Sequence, residues 1–533
     1  MTRDAETGAR NQARLIAALA DPACFGADVT RVTALETHIS HVLLTGRFAY
    51  KIKKAVDFGF LDFTTLAARR FFCEEELRLN RRLALSVYLE VVPITGSVDA
   101  PRIGGSGRAL EYAVKMREFA QDALASRLLH RGELAAADID ALAATVARFH
   151  AAIQPAAPGG GFGSPEGVWR AAQDNFTTLR PLVEEAEERS RLDALAAWTR
   201  REYEARRGAL LTRVEEGFVR ECHGDLHLGN IARIDGELTI FDCIEFNPAF
   251  RWIDVMSEVG FLVMDLHHRG HADLAGRFLN AYLERTGDYG GLAVLPFFLV
   301  YRALVRAKVA RLRASQLDSE EARRAISDYR DHLQLAGMFA VRSRPAIVIT
   351  HGLSGSGKTT LTQALLERLG AVRVRSDVER KRMHGLDVVD RDRSGVDQAL
   401  YSGAATEATY GRLVVLARTI AAAGFVAVID AAFLRLWQRN LFRDLATALR
   451  IPFVVVDFAA SEAALRERIG RRAAANTDAS DADLAVLEQQ LRTQEPLGDA
   501  EMADVVRYDA NAPLARMREA AAWDGVRARL GLS

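Results

Sequence analysis

A chain of 533 residues is too long for one hydrophobic core and divides into about three domains or lobes. Apolar residues make up 49% and charged residues 26%, with 70 basic side chains against 70 acidic ones, so the formal charge is zero. That is the balance of a soluble globular protein, and it supplies no global field for an anionic membrane or a nucleic acid; a polynucleotide substrate is disfavoured without being excluded. Cys24, Cys73, Cys222 and Cys243 stand singly, without metal-type spacing, as expected of free thiols in a reducing cytoplasm. The charged start Met1-Thr-Arg-Asp-Ala-Glu6 has no apolar run of the signal-peptide kind.

In chain order, residues 1–50 open with a helical segment and pass into an alternating stretch, Glu36–Leu44. The turn Thr45-Gly46-Arg47 and the return Phe48–Lys53 predict a β-hairpin. Leu66–Leu85 has helical spacing, and Ser86–Ile94 and Ala109–Met116 predict strands. Helices follow over Gln121–His150, a Pro/Gly loop over Gln154–Pro165, and helices again over Trp169–Leu211. Asp254–Val341 is mostly helical; its most apolar stretch, Leu292–Tyr301, is too short to span a bilayer and reads as a buried helix. Val341–Pro345 is a short linker, and strands and helices alternate from Ala346 onward, as in a parallel sheet.

Two phosphate-handling signatures sit in this framework. The first is His223-Gly-Asp225-Leu-His-Leu-Gly-Asn230, followed by Ile240-Phe-Asp242. Phosphoryl transfer needs an acceptor hydroxyl held in line and metal ions on the phosphates. Asp225 has the position of a base for that hydroxyl, with Asn230 and Asp242 as the Mg²⁺ ligands. Upstream, Lys51 and Lys53 share one strand face, and Glu75 or Glu76 lies in the next helix; Lys51 with Glu76 is the preferred phosphate-positioning pair, since Leu79 and Leu83 continue that helix's inward face.

The second signature is Gly352-Leu-Ser354-Gly355-Ser356-Gly357-Lys358-Thr359-Thr360, directly after the apolar run Ala346–Thr350. Glycines turn backbone N–H groups inward around phosphates, the following helix adds its positive end, Lys358 reaches the β/γ oxygens and Thr359 ligates Mg²⁺. Val426–Asp430 is an apolar strand whose terminal Asp430 is the water-mediated Mg²⁺ partner.

Residues 25–335 resemble the aminoglycoside-phosphotransferase-like branch of the protein-kinase-like fold. The resemblance implies Asp225 as catalytic base, Asn230 and Asp242 as metal ligands, and Tyr112-Ala-Val-Lys115-Met116 as the hinge that grips adenine. Two departures stand out. No Gly-x-Gly-x-x-Gly covers the phosphates, leaving that task to Thr37–Ser40, and Asp242 is followed by Cys-Ile-Glu245, which puts Glu245 in the metal or substrate shell.

Residues 345–533 resemble small P-loop kinases of the polynucleotide kinase, gluconate kinase, chloramphenicol phosphotransferase and zeta-toxin type. This implies Asp377 as acceptor base, Arg380 as substrate anchor, and a lid whose arginines, Arg468 and Arg471 foremost, neutralise the transferred phosphate. The basic helix Ala464–Arg472 leads into a polar loop over Asn476–Asp481.

The expected architecture is thus multidomain, α+β and α/β: a bilobal kinase-like module over 1–340 (small lobe about 25–118, large lobe about 119–340), a linker over 341–345 and a P-loop module over 346–533. Both modules bind ATP with Mg²⁺ and act on small hydroxyl-bearing substrates. Arg302 and Arg306, four apart on one helix, either face an anionic acceptor or pair with acids of neighbouring helices; an aminoglycoside, which wants carboxylates, is not the first choice. Two other classes stay open: a P-loop half acting alone on a nucleic-acid end or a nucleotide-sugar, and an ATP-sensing regulator. The sequence leaves the oligomeric state open.

Overall fold

The computed structural model describes residues 3–59, 61–157, 159–341, 344–386, 403–475, 484–511 and 519–531. The polar loop expected over 476–481 and positions 342–343 of the linker lie outside the described residues. The chain packs as two compact units: one of residues 1–141, 148–169 and 211–265, the other of residues 142–147, 170–210 and 266–533.

The first unit begins with helix α1 (Arg3–Ala18) and a six-stranded antiparallel sheet. Its strands are β1 (Thr33–Glu36), β2 (Ser40–Leu44), β3 (Phe48–Lys53), β4 (Tyr88–Ser97), β5 (Ala100–Ile103) and β6 (Glu111–Arg117), in the order β1-β2-β3-β6-β4-β5. The predicted hairpin is β2–β3, with Val42 opposite Lys51 and Ser40 opposite Lys53. Period-two alternation gives β3 two different faces. Tyr50 and Ile52 join Leu15 of α1 and Leu19, just past its end, in one core, while Lys51 and Lys53 point to helix α2 (Leu66–Asn80) and its Glu76.

Helix α2 stops at Asn80, five residues short of its expected end. The N–H groups of Leu83 and Ala84 both turn back to the Asn80 carbonyl, which tightens the chain for its entry into β4.

Helices α3 (Ala125–His130), α4 (Ala136–Ala152), α5 (Pro165–Leu179) and α6 (Ala186–Glu215) follow. The first signature then occupies a region of short ladders. Strand β7 (Val219–Glu221) pairs with β10 (Trp252–Asp254), β8 (Ile231–Ile234) pairs with β9 (Glu237–Ile240), and α7 (Pro248–Arg251) lies between the ladders in sequence. Helix α8 (Val255–His268) closes the region; it is apolar apart from Ser257, Glu258, Asp265 and two terminal histidines.

The second unit contains helices α9 (Ala272–Thr286), α10 (Leu295–Ala314) and α11 (Ser319–Phe339) together with a five-stranded parallel sheet. Its strands are β11 (Ala346–His351), β12 (Val372–Arg375), β13 (Val426–Asp430), β14 (Phe453–Ala459) and β15 (Val505–Asp509), in the order β12-β13-β11-β14-β15. Ile347, Val348 and Ile349 of β11 and Val454, Val455 and Val456 of β14 are fully buried, as a sheet covered on both faces requires. Helix α12 (Lys358–Leu369) follows β11, and α13 (Ser376–Met383) follows β12.

Strand β12 is an edge of this sheet, and α9 covers it. The Asn280 amide donates to the Ala371 carbonyl (2.9 Å) and its Oδ1 accepts the Arg373 N–H (2.8 Å), while the Tyr289 hydroxyl donates to the Arg373 carbonyl (3.3 Å).

Candidate active sites

The first site is built around two carboxylates of the His223–Asp242 region. Asn230 Nδ2 donates to Asp225 Oδ2 at 2.8 Å and to the Asp225 carbonyl at 3.0 Å, fixing the predicted base relative to the predicted metal ligand. His227 Nδ1 accepts the Gly229 N–H at 3.0 Å, so its proton sits on Nε2, which faces Asp225 Oδ2 at 3.3 Å. The loop's backbone is clamped from α8. Glu258 Oε1 accepts the N–H groups of His223 (2.6 Å) and Gly224 (2.7 Å), its other oxygen meets His150 Nε2 at 2.7 Å, and Asp265 accepts the Leu228 N–H at 2.9 Å. His223 donates from Nε2 to the Phe241 carbonyl at 2.9 Å, and burial pushes its imidazole below the ordinary histidine value. Gly224 has φ +88, and a Cβ there would lie 2.7 Å from the Phe250 carbonyl oxygen, so no other residue fits the turn.

Lys51 joins this region to the sheet. Its Nζ is 2.8 Å from Glu76 and 2.5 Å from Asp242, so the predicted lysine–glutamate pair is formed and the ammonium stands at the predicted metal carboxylate. Lys53 also meets Glu76 and, on its other side, Glu245. Burial by itself would raise Glu76, but the two ammonium groups outweigh it and hold the carboxyl down at about 2. Glu245 is therefore engaged with a lysine of β3, where the sequence suggested a metal or substrate contact. Asp242 takes φ +65, unusual for a side chain larger than glycine, and its N–H donates to the Tyr88 hydroxyl oxygen at 3.2 Å. Lys115, placed by sequence at the adenine hinge, pairs with Glu90 at 2.9 Å across β4 and β6. Thr37 and Ser40 form the tight turn between β1 and β2, with the Ser40 N–H on Thr37 Oγ1 at 3.0 Å.

The second site lies at the C-terminal ends of the parallel strands, where such sheets bind ligands. Gly352 (φ +146), Gly355 (φ +84) and Gly357 (φ +82) shape the loop between β11 and α12. Lys358 Nζ donates to the carbonyls of Gly352 (2.8 Å) and Leu353 (2.9 Å), lying along the loop it follows. Thr359 Oγ1 donates to Asp430 Oδ2 at 2.7 Å, which brings the two predicted Mg²⁺ groups together. Thr360 is exposed in the first turn of α12, and Ser356 is buried in the loop. Ser354 N–H is held by Gln490 at 2.8 Å.

Asp377 and Arg380, on the first turns of α13, pair at 3.1 Å. Arg468 donates to the Ala510 carbonyl at 2.8 Å and approaches the Gly355 carbonyl at 3.5 Å, whereas Arg471 is exposed and pairs with Glu467 on its own helix. Of the two lid candidates, Arg468 is thus the one at the phosphate loop. Arg302 is buried and Arg306 half-buried, one turn apart on α10.

Some site residues carry no motif. Arg373 donates to the Thr359 carbonyl at 2.9 Å and bears on the first turn of α12. Glu258 and Asp265 are seven apart in an otherwise apolar helix, and acids at that spacing inside an apolar face were a usable signal.

Both oxygen-donor sets, Asn230 with Asp242 and Thr359 with Asp430, suit a hard divalent cation such as Mg²⁺, and a lysine ammonium already neutralises Asp242. Residues 73–295 match the Phosphotransferase enzyme family and residues 347–497 match the AAA domain. Together they make the chain a kinase-class phosphotransferase with a P-loop nucleotide-binding domain. It is 30% identical over 445 residues to the uncharacterized proteins Rv2004c of Mycobacterium tuberculosis and Mb2027c of Mycobacterium bovis, across 84% of this chain and 87% of each of theirs. The chain belongs to their family.

Among solved structures, a choline/ethanolamine kinase family protein from Mesorhizobium loti is similar over 62% of this chain and 99% of its own, at 12% identity and a TM-score of 0.36. A gluconokinase from Sinorhizobium meliloti is similar over 36% of this chain and 97% of its own, at 21% identity and a TM-score of 0.26.

Proposed function

We propose that this chain is a kinase with two Mg-ATP sites, one in residues 1–340 and one in 346–533, each transferring the γ-phosphoryl group to a hydroxyl of a small metabolite. The observation that carries the reading is the presence of two oxygen-donor sets on unlike scaffolds, Asp225–Asn230 with Asp242 and Thr359–Asp430, each served by its own lysine. In the first, Asp225 receives the acceptor proton, Lys51 orients the phosphates, and Asn230 and Asp242 hold Mg²⁺. In the second, Asp377 receives the proton, Arg380 anchors the acceptor, Lys358 and the loop N–H groups bind the phosphates, and Thr359 and Asp430 hold the ion. Bound Mg²⁺ supplies neutralisation of the triphosphate charge. Free cysteines fit a cytoplasmic enzyme, and no helix among the described residues is long and apolar enough to cross a membrane.

Calorimetry tests the stoichiometry. The intact protein is expected to bind two ATP, and Asp225→Asn and Lys358→Ala each to remove one turnover activity and spare the other. A single bound nucleotide, or loss of both activities in either folded variant, refutes the two-site reading.

A further inference from the structure

Strand β3 carries two buried lysines where phosphate positioning needs one. They differ in what they can reach. Lys51 touches Asp242, whose side chain is 43% exposed, so it stands at an open carboxylate. Lys53 is completely buried, with Glu76 and Glu245 as its carboxylate partners and the Phe63 ring 5.5 Å away. A lysine enclosed in this way has no route to a nucleotide.

We propose that Lys53 is a positioning residue: it is the permanent counter-ion of Glu76, which lets Lys51 divide itself between Glu76 and the triphosphate, and through Glu245 it fastens the Asp242 segment to β3. The inference rests on the two-site reading of the chain. Glu76 is fully buried, and a buried carboxylate that loses its cation is strongly destabilising. With Lys51 as sole partner, every movement of that lysine toward phosphate would strand the charge. Lys53 removes the conflict. Its contact with Glu245 adds a second effect. Asp242 sits in a left-handed conformation that its surroundings must enforce. Tyr88 holds its N–H, Asn80 Oδ1 accepts the Cys243 N–H at 2.8 Å, and the Lys53–Glu245 pair anchors the segment three residues on.

The experiment uses the full chain carrying Lys358→Ala, so that calorimetry reads the first site alone. Lys53→Met is expected to weaken MgATP binding at least about tenfold and to raise the Mg²⁺ concentration needed for half-maximal binding. Turnover of ATP at the P-loop site, read in an Asp225→Asn, Lys53→Met chain in which the first site is catalytically silent, is expected to stay unchanged. The paired variant Lys53→Met, Glu245→Gln strands no carboxylate at position 245; it is expected to recover thermal stability while MgATP binding stays weak, and it supplies the affinity if the single variant does not fold. Affinity within about twofold of the parent in either folded variant overturns the inference. If the Lys358→Ala parent itself binds no nucleotide, the two-site reading is what has failed.

Discussion

Glu258 offers the sharpest test of how the His223–Asn230 loop is held. Its carboxylate accepts two backbone N–H groups, from His223 and Gly224, and meets His150 with its other oxygen, all while buried. In Glu258→Gln one amide oxygen can still accept, but the charge assistance at both backbone bonds is lost. At roughly 1 kcal/mol for each, the loop loses about 2 kcal/mol, or about 30-fold in the protection of those amides. Glu258→Ala leaves both N–H groups without their acceptor and costs about 4 kcal/mol. Hydrogen exchange read by mass spectrometry over residues 223–230 measures this locally, which matters in a chain of two compact units that need not unfold together. Unchanged exchange in both variants would refute the clamp. The effect also has a pH signature. Burial would raise the Glu258 carboxyl, but the His150 contact and the backbone N–H donor outweigh it and lower it below its ordinary value. A depressed folded-state value means the stabilisation is complete above the unfolded value of about 4.3 and is lost as the pH falls through the lower, folded one. The difference between wild type and Glu258→Gln should therefore shrink on acidification below about pH 4.

Gly224→Ala forces a side chain into a left-handed turn and against the Phe250 carbonyl, and should cost at least about 2 kcal/mol and depress nucleotide binding at the first site; a wild-type melting curve would contradict this. Burial pushes the thiols of Cys73 and Cys243 up to about 12, and Cys222 is equally enclosed, so a thiol reagent should modify only the half-exposed Cys24 in the native protein and all four after denaturation. Rapid native labelling of more than one cysteine, counted by intact mass, would contradict the packing around α2 and the Asp242 segment.

Much of this was legible from local pattern. The β2–β3 hairpin announced itself through alternation around Thr45-Gly46-Arg47, and four of the five parallel strands are apolar or alternating runs. Strand β15, Val505-Val-Arg-Tyr-Asp509, escaped because it is short, polar on alternate residues and at the sheet edge. Strands β1 and β5 are four-residue edge elements with weak signals of the same kind. In the site, the Lys51–Glu76 pair followed from strand and helix periodicity. The sharing of Glu76 by Lys53 did not, since period two says which lysines share a face and nothing about how deep each is buried. Arg373 was invisible for a different reason: its bond to the first turn of α12 ends on the Thr359 backbone carbonyl, and main-chain acceptors leave no trace in sequence.

The cover that Asn280 and Tyr289 place over β12 bears on how this polypeptide can be cut. An uncapped border strand offers its main-chain groups to any other chain, a common start of aggregation. A fragment beginning at Ala346 would keep the phosphate loop and all five strands yet leave that border bare. Solubility of the P-loop half would then depend on retaining the helical residues from about 272 onward, although no phosphate-binding motif lies among them.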